Sequence, residues 1–178
     1  MIRRTLDRLY DAAGAAAGCC VFAIFAVMLI AAGARELGFR TGGTDDLVSW
    51  MTAGAAFLGL AHTFKHGDFV RVGLFLEKMP PRLRRGFELA SLSIGVVFTG
   101  FLLWSVALYL YNGWLYNEMS NGLLVVPMWI PQLSFLLGAA LLFIALVDEW
   151  LIVLGGGRPT YVTAVEERHA RGDFSEDV

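Results

Sequence analysis

The sequence predicts an all-α membrane protein with four transmembrane helices, a short amphipathic helix between the second and third, and both termini in the cytoplasm. Hydrophobic residues make up 57% of the 178 residues and charged residues only 17%, whereas about 25% of a typical soluble chain is charged. The charges are clustered, and four long apolar segments separate the clusters. The basic clusters also fall mostly on one side of a four-span arrangement.

The four apolar segments are the predicted membrane spans. A helix needs ~20 apolar residues to cross about 30 Å of hydrocarbon. Because backbone polar groups cannot stay unpaired in lipid, these segments are predicted to be helices. The predicted spans cover residues 12–33, 47–64, 89–111 and 126–147, within a transmembrane domain over 1–155.

The first span has a signal peptide as its alternative interpretation. Arg3, Arg4 and Arg8 precede it, and the Ala-Gly-Ala triplet at 32–34 resembles a cleavage site. Its uncharged run of 22 residues is longer than the apolar core of a signal peptide, and three more spans follow. We therefore expect the segment to remain as a transmembrane helix.

The basic residues predict the orientation in the membrane. Three arginines precede the first span, six Lys/Arg lie in 65–88 and three arginines follow residue 155, so twelve of the fourteen lie on one side. The positive-inside rule therefore places both termini in the cytoplasm. Residues 156–178 are polar and are predicted to form a cytoplasmic tail.

Residues 68–79 are predicted to form the amphipathic helix. Asp68 is a plausible N-cap, and Pro80-Pro81 must end the helix. The helix has an apolar arc and a polar side, and basic residues follow it. This pattern indicates a helix that lies in the cytoplasmic interface of the membrane, next to anionic headgroups. The apolar arc contains Phe69, Val72, Phe75, Leu76 and Met79, the polar side Arg71 and Lys78, and the following basic residues are Arg82, Arg84 and Arg85.

Ionisable residues within a membrane mark proton relays or substrate paths, and the predicted spans contain almost none. His62, Asp148 and Glu149 lie near cytoplasmic ends and are interpreted as interface residues. His62 and His66 form an i,i+4 pair that could bind a metal, but the nearest third ligand in the sequence is Asp68. The pattern is too weak to predict a metal site.

Other chemistry is also absent from the sequence pattern. Cys19 and Cys20 are adjacent within the first span, so no disulfide framework or metal clip follows. No catalytic motif is present, and the net charge of −2 gives no basic surplus for a nucleic-acid partner. We expect a chain that is not an enzyme and that holds no cofactor.

Small residues at four-residue spacing occur in every span. Such pairs let helix backbones approach closely, within one chain or against a partner, and they are candidates for packing against another subunit. Trp104, deep in the third span, is interpreted as a packing residue or one that faces a partner. The small-residue pairs are Gly14 and Gly18, Ala55 and Gly59, Ser91 and Gly95, and Ser134 and Gly138.

Two stretches resemble a known family. They are SWMTAGAAFLGLAHTFKHGDFVRVGLFLEKMPPRLRR at 49–85 and NGLLVVPMWIPQLSFLLGAALL at 121–142. The first has a Trp before an apolar FLG helix, a basic-x-Gly-x-x-hydrophobic-Arg-Val run and a Pro-terminated amphipathic helix. The second has Gly-x-x-x-x-Pro-x-Trp leading into the last span. In this order, they resemble the DctQ-like small membrane subunit of tripartite ATP-independent periplasmic (TRAP) transporters.

The resemblance implies a bacterial inner-membrane complex. A periplasmic substrate-binding protein would deliver an organic acid, and a large membrane subunit would move it, coupled to sodium bound in that large subunit. The small subunit would scaffold the large one and help dock the binding protein. The candidate docking residues in the two outer loops are Arg35, Arg40, Asp45, Asp46 and Glu118.

Two other functions compete with this one. A self-contained small multidrug-type exporter acting as a homodimer needs a carboxylate embedded in the membrane, and none is central here. A redox membrane anchor would bind haem between histidines at matching depth on facing helices. The three histidines, His62, His66 and His169, do not provide such a pair.

Overall fold

The computed structural model describes residues 2–39, 41–66, 80–157 and 159–163. These residues form four long helices: α1 (Ile2–Glu36), α2 (Thr44–His66), α3 (Pro81–Leu115) and α4 (Trp129–Leu154). All four are long and apolar enough to cross a membrane. The prediction of an all-helical chain with four candidate spans is confirmed, and the described residues contain no strand beyond an isolated bridge.

Two of the helices extend well beyond their predicted spans. α1 and α3 each contain 35 residues, which at 1.5 Å per residue makes them about 50 Å long, against ~30 Å of hydrocarbon. α1 begins ten residues before the first predicted span, and α3 begins eight residues before the third. Hydropathy marks only the part that suits lipid, whereas backbone hydrogen bonds continue the helix into charged sequence.

The four helices form a row whose order differs from the chain order. α2 contacts α1 on one side and α4 on the other, and α4 in turn contacts α3. α1 and α3 therefore lie at the flanks of the row. Consecutive helices run in opposite directions. One end of the bundle therefore holds the start of α1, the end of α2, the start of α3 and the end of α4, and we name it the basic end. The opposite end, the loop end, holds the two connections at 37–43 and 116–128.

The α2–α4 seam is close because small residues face the neighbouring backbone. A β-carbon at Gly138 would overlap the backbone of Phe57, and one at Gly54 would lie 3.0 Å from Ser134 Oγ. Phe57 also packs its ring edge-on against Phe135, with centroids 3.7 Å apart. Packing of this kind is what holds helices together in lipid, where burial of apolar surface provides no net driving force.

The buried core lies toward the basic end. It combines residues of all four helices with Tyr161, which follows α4. Trp150 in α4 also donates its Nε1–H to Ser93 Oγ in α3 at 2.9 Å, which satisfies an indole N–H that would otherwise be unpaired. The buried residues of this core are Tyr10, Ala61, Phe64, Leu92, Leu142, Ala145, Leu146, Val153 and Tyr161.

The connection at 116–128 is ordered by backbone hydrogen bonds. The Ser120 N–H donates to Val126 O, and the Met128 N–H donates to Glu118 O, each at 2.9 Å. Asn117 has a φ of +49°, a left-handed conformation that suits the tight exit from α3. The connection is thus a narrow hairpin folded over the loop end.

Several predicted features lie outside the described residues. These are the whole of the amphipathic helix at 68–79, Arg40 and the tail from residue 164 onward. The interfacial helix and the cytoplasmic position of the termini therefore stay predictions.

We expect Gly138→Ala to lower the free energy of unfolding by about 1–3 kcal/mol, because the new methyl group would force α2 and α4 apart. Unfolding in mixed detergent micelles, followed by circular dichroism, measures the change. Gly18→Ala is the matched control, since a β-carbon there meets nothing within 4 Å and Ala favours a helix by up to ~1 kcal/mol. Equal destabilisation by both substitutions would contradict the expectation.

Candidate functional site

A group of charged side chains joins α2 to α4 at the basic end. Lys65, in the last turn of α2, places its Nζ 3.2 Å from Asp148 Oδ2 and 3.3 Å from Glu149 Oε1. The Glu149 side chain is completely buried, and the Lys65 side chain is 11% exposed. Removing charges from water is costly unless they are paired and hydrogen-bonded. The position of Lys65 is therefore what allows α4 to carry a buried carboxylate.

The second oxygen of Glu149 fastens the chain that follows α4. Glu149 Oε2 accepts a hydrogen bond from the Thr160 backbone N–H at 2.8 Å. Thr160 opens a short helical turn over 160–163, and the next residue, Tyr161, packs its ring 5.9 Å from that of Phe64. One buried carboxylate thus binds a cation on α2 through one oxygen and a returning segment through the other.

α1 and α3 also meet this group. The Tyr10 side chain of α1 is fully buried, and Lys65 Nζ lies 5.8 Å from the centre of its ring, a cation–π distance. From α3, Arg85 Nη2 donates to the carbonyls of Val153 and Leu154, each at 3.2 Å. A cation on the last carbonyls of a helix satisfies acceptors that have no partner within the helix and complements its dipole.

We name this group the basic-end cluster. It contains Tyr10, Lys65, Arg85, Asp148, Glu149 and Thr160, and through these residues it contacts all four helices. Its charges are engaged with one another and with backbone groups. Such an arrangement holds helix ends in register, which is a structural role rather than an acid–base one.

Sequence reasoning interpreted Asp148 and Glu149 as interface residues and missed this pairing. A signal was present, because apolar residues continue for several positions after Glu149, through Leu154. A carboxylate pair inside an apolar run requires a cation at the same depth, and Lys65 at the end of the second span provides it. Only the packing of α2 beside α4 identifies the partner.

The small residues predicted to pack against another subunit are mostly used within the chain. Gly14 faces the His62 ring, Gly59 faces Ala17, Gly95 faces Leu146, and Gly138 faces Phe57. Ser134 faces Gly54 and donates its hydroxyl to Pro131 O at 2.8 Å. Ala55 is half-buried, whereas Gly18 and Ser91 are exposed. Contact of any of them with a second subunit stays a prediction.

The predicted docking residues that the structure describes lie at the loop end. Arg35, Asp45 and Glu118 are exposed. Asp46 is half-buried, and its Oδ2 accepts a hydrogen bond from the Leu124 N–H at 3.3 Å. Asp46 therefore fixes the 116–128 connection to the start of α2, while the other three present charges on the surface.

Large apolar side chains are exposed on both flanks of the row. On α1 they form the α1 face, which includes Phe22, Phe25 and Leu29. On α3 they form the α3 face, which includes Phe101 and Trp104, the latter 64% exposed. Of the two interpretations of Trp104, its exposure favours a residue that faces outward from the chain rather than one that packs inside it.

One further group places three possible metal ligands close together. Asp11, His62 and His66 bring a carboxylate oxygen and two imidazole nitrogens within 4.8 Å of one another, where α1 meets α2 at the basic end.

Removing one partner of the Lys65–Glu149 pair should leave an uncompensated buried charge. We expect Lys65→Met and Glu149→Gln each to lower the free energy of unfolding by about 3–5 kcal/mol, and the double variant by less than the sum. Unfolding by detergent titration, followed by circular dichroism, measures the free energy of unfolding of the wild type, the two single variants and the double variant. Glu88→Gln, which breaks the partly exposed Arg84–Glu88 pair at 3.1 Å, should cost about 0.3–0.5 kcal/mol. Strict additivity of the two single changes would contradict a direct interaction.

Loss of the Asp46 carboxylate should loosen the 116–128 connection. We expect Asp46→Ala to lower the local opening free energy by about 1 kcal/mol, which is roughly a fivefold faster hydrogen exchange at the Leu124 amide. Asp45→Ala is the control, because Asp45 is exposed and adjacent. Unchanged exchange in the Asp46 variant, measured by mass spectrometry, would show that other contacts hold the connection.

The chain is similar to one known protein family over most of its length. No curated protein matches the chain significantly. The family model described as "Tripartite ATP-independent periplasmic transporters, DctQ component" matches residues 24–154. The match covers well over half of the chain and includes the last part of α1, all of α2, α3 and α4, and both ends of the Lys65–Glu149 pair. The resemblance of the two sequence stretches is thereby confirmed, and the chain belongs to the DctQ family of TRAP transporter components.

Proposed function

We propose that this chain is the non-catalytic small subunit that scaffolds the large membrane subunit of a TRAP transporter. Membership of the DctQ family makes it a membrane component of such a transporter. The observation that carries the scaffold role is the distribution of charge. No Asp, Glu, Lys or Arg lies in 12–34, 47–64, 89–117 or 119–147, so these central stretches offer no charged groups to a translocated ion or organic acid.

The proposed orientation follows from the basic end. Lys65, Arg84 and Arg85 belong to the side that carries twelve of the fourteen basic residues, and we assign that side to the cytoplasm of a bacterial inner membrane. The loop end then faces the periplasm. Anionic headgroups of the inner leaflet would meet the arginines at the start of α3.

The flanks of the row are the surfaces proposed to meet the large subunit and lipid. α2 and α4 are each covered by helices on two sides, whereas the α1 and α3 faces are open. The basic-end cluster supports this role, because a scaffold must hold its own helices in register while its flanks bind a partner. A rigid flank loses less conformational freedom on association.

The loop end is the proposed contact for the periplasmic substrate-binding protein. Arg35, Asp45 and Glu118 offer charges of both signs there, and such charges favour orientation and association rate over raw affinity. The organic acid and the sodium ions would be bound by the other two components. A self-contained homodimeric exporter is not favoured, since it would need an embedded carboxylate facing the substrate, and the buried Glu149 is already paired with Lys65.

Co-purification tests the proposal. We expect the tagged chain, extracted in mild detergent from its native membrane, to carry a larger multi-span protein in fixed stoichiometry, identified by mass spectrometry. Proteoliposomes with the large subunit, the binding protein and this chain should take up organic acid in a sodium-dependent manner. Uptake should be lost without this chain. Repeated isolation without a larger subunit, or uptake by the chain alone, would overturn the proposal.

Photo-crosslinking tests which flank meets the partner. A benzophenone amino acid at Trp104 should crosslink to the large subunit if the α3 face is the interface, and one at Phe25 if the α1 face is. Thr52, exposed on α2, is the control position. Absence of protein crosslinks from both flanks in an active complex would exclude the proposed surfaces.

A further inference from the structure

The seam between α1 and α2 brings together three side chains that the transport role does not use. Asp11 lies on α1, and His62 and His66 lie one turn apart on α2. Asp11 Oδ1 is 3.5 Å from His62 Nδ1, and the ligand atoms of all three residues lie within 4.8 Å of one another. From the sequence alone, the nearest third ligand for the histidine pair was Asp68. The packing of α1 against α2 provides Asp11.

We propose that Asp11, His62 and His66 bind a divalent transition-metal ion of the Zn²⁺ class and so clip α1 to α2. This site goes beyond the scaffold function and does not depend on it. Two imidazoles and a carboxylate form a ligand set typical of zinc. Asp11 also precedes the 24–154 range that matches the family model, so the complete set involves a part of the chain outside that match.

The distances suit such an ion. In a tetrahedral zinc site with bonds of about 2.1 Å, two ligand atoms are ~3.4 Å apart, close to the 3.5 Å between Asp11 Oδ1 and His62 Nδ1. The two imidazole rings are also near each other, with centroids 4.1 Å apart. Residues four apart project from the same face of a helix, and the ligand atoms of all three residues lie within 4.8 Å of one another.

The hydrogen bond made by His66 prepares it for coordination. Its Nδ1 lies 2.9 Å from the His62 carbonyl oxygen, and because a carbonyl only accepts, Nδ1 must carry the proton. In the neutral ring Nε2 then holds the lone pair. Donation of the other ring N–H to a backbone carbonyl is how metal-binding histidines are usually oriented.

The His62 ring has a nitrogen that lacks a hydrogen-bond partner in the part of the chain that the structure describes. Its Nδ1 atom is enclosed and makes no hydrogen bond within the described residues, although buried polar atoms are nearly always paired. The neighbouring Asp11 oxygen lies beyond normal hydrogen-bond distance. A metal ion between the two atoms would give His62 Nδ1 the partner that it lacks among the described residues.

Gly14 makes room for the site. A β-carbon there would lie 2.7 Å from His62 Cγ and 2.9 Å from His62 Nδ1, too close for the ring to stay where it is. Gly14 is one turn from Asp11 on α1, so the same helix supplies a ligand and the space for the facing ligand.

Metal titration of the tag-free, full-length chain in nanodiscs tests the proposal. Zn²⁺ is added in competition with a chromophoric chelator, and Co²⁺ is added in parallel to record the visible absorption of a tetrahedral site. We expect one saturable site that Asp11→Asn and His62→Gln each weaken by at least ~10-fold. His169→Gln and Asp45→Asn are the matched controls and should leave affinity unchanged. Zn²⁺ should also raise the unfolding temperature of the wild type but not of His62→Gln.

Gly14→Ala provides a test that keeps every ligand. It should weaken Zn²⁺ binding by displacing the His62 ring, whereas Gly18→Ala, which has open space at its β-carbon, should not. Circular dichroism and gel filtration verify that each variant remains helical and monodisperse. Wild-type binding no tighter than that of His62→Gln, or equal loss in His169→Gln, would overturn the site. The Asp11–His62 contact would then be an ion pair only.

Discussion

The buried pair between Lys65 and Glu149 is the interaction on which the basic end depends. Glu149 has no exposed surface, so its charge is tolerable only because one oxygen faces Lys65 and the other accepts the Thr160 N–H. These contacts fix the relative depth of α2 and α4 and bring the segment after α4 back onto the core. Tyr10 and Arg85 extend the same arrangement to the flanking helices. In lipid, where apolar contact alone does not choose a register, such directional contacts do.

This concentration of polar contacts at the ends has a functional consequence. The interior seams need only small residues and close packing, as where Gly138 meets Phe57. The flanks can then present large apolar side chains, as Phe25 and Trp104 illustrate. A component of a larger membrane assembly benefits from this division, because partner binding on a flank need not disturb the contacts that hold its own helices together.

The α1–α2 seam illustrates how glycine and polar residues act together. Gly14 is at once the small residue of a packing motif and the space into which the His62 ring fits. That fit places an imidazole opposite Asp11 and beside His66. A motif that in sequence indicates only close helix approach thus positions three potential metal ligands.

The sequence by itself determined the number and type of the helices, because hydropathy and the need to pair backbone groups in lipid are local properties of each segment. The DctQ resemblance was also readable from 49–85 and 121–142. Only the tertiary structure decided that α2 lies between α1 and α4, and therefore that Lys65 meets Glu149 across 84 positions and Asp11 meets His62. Partners on different helices depend on which faces pack together, and spacing within one helix carries no information about that.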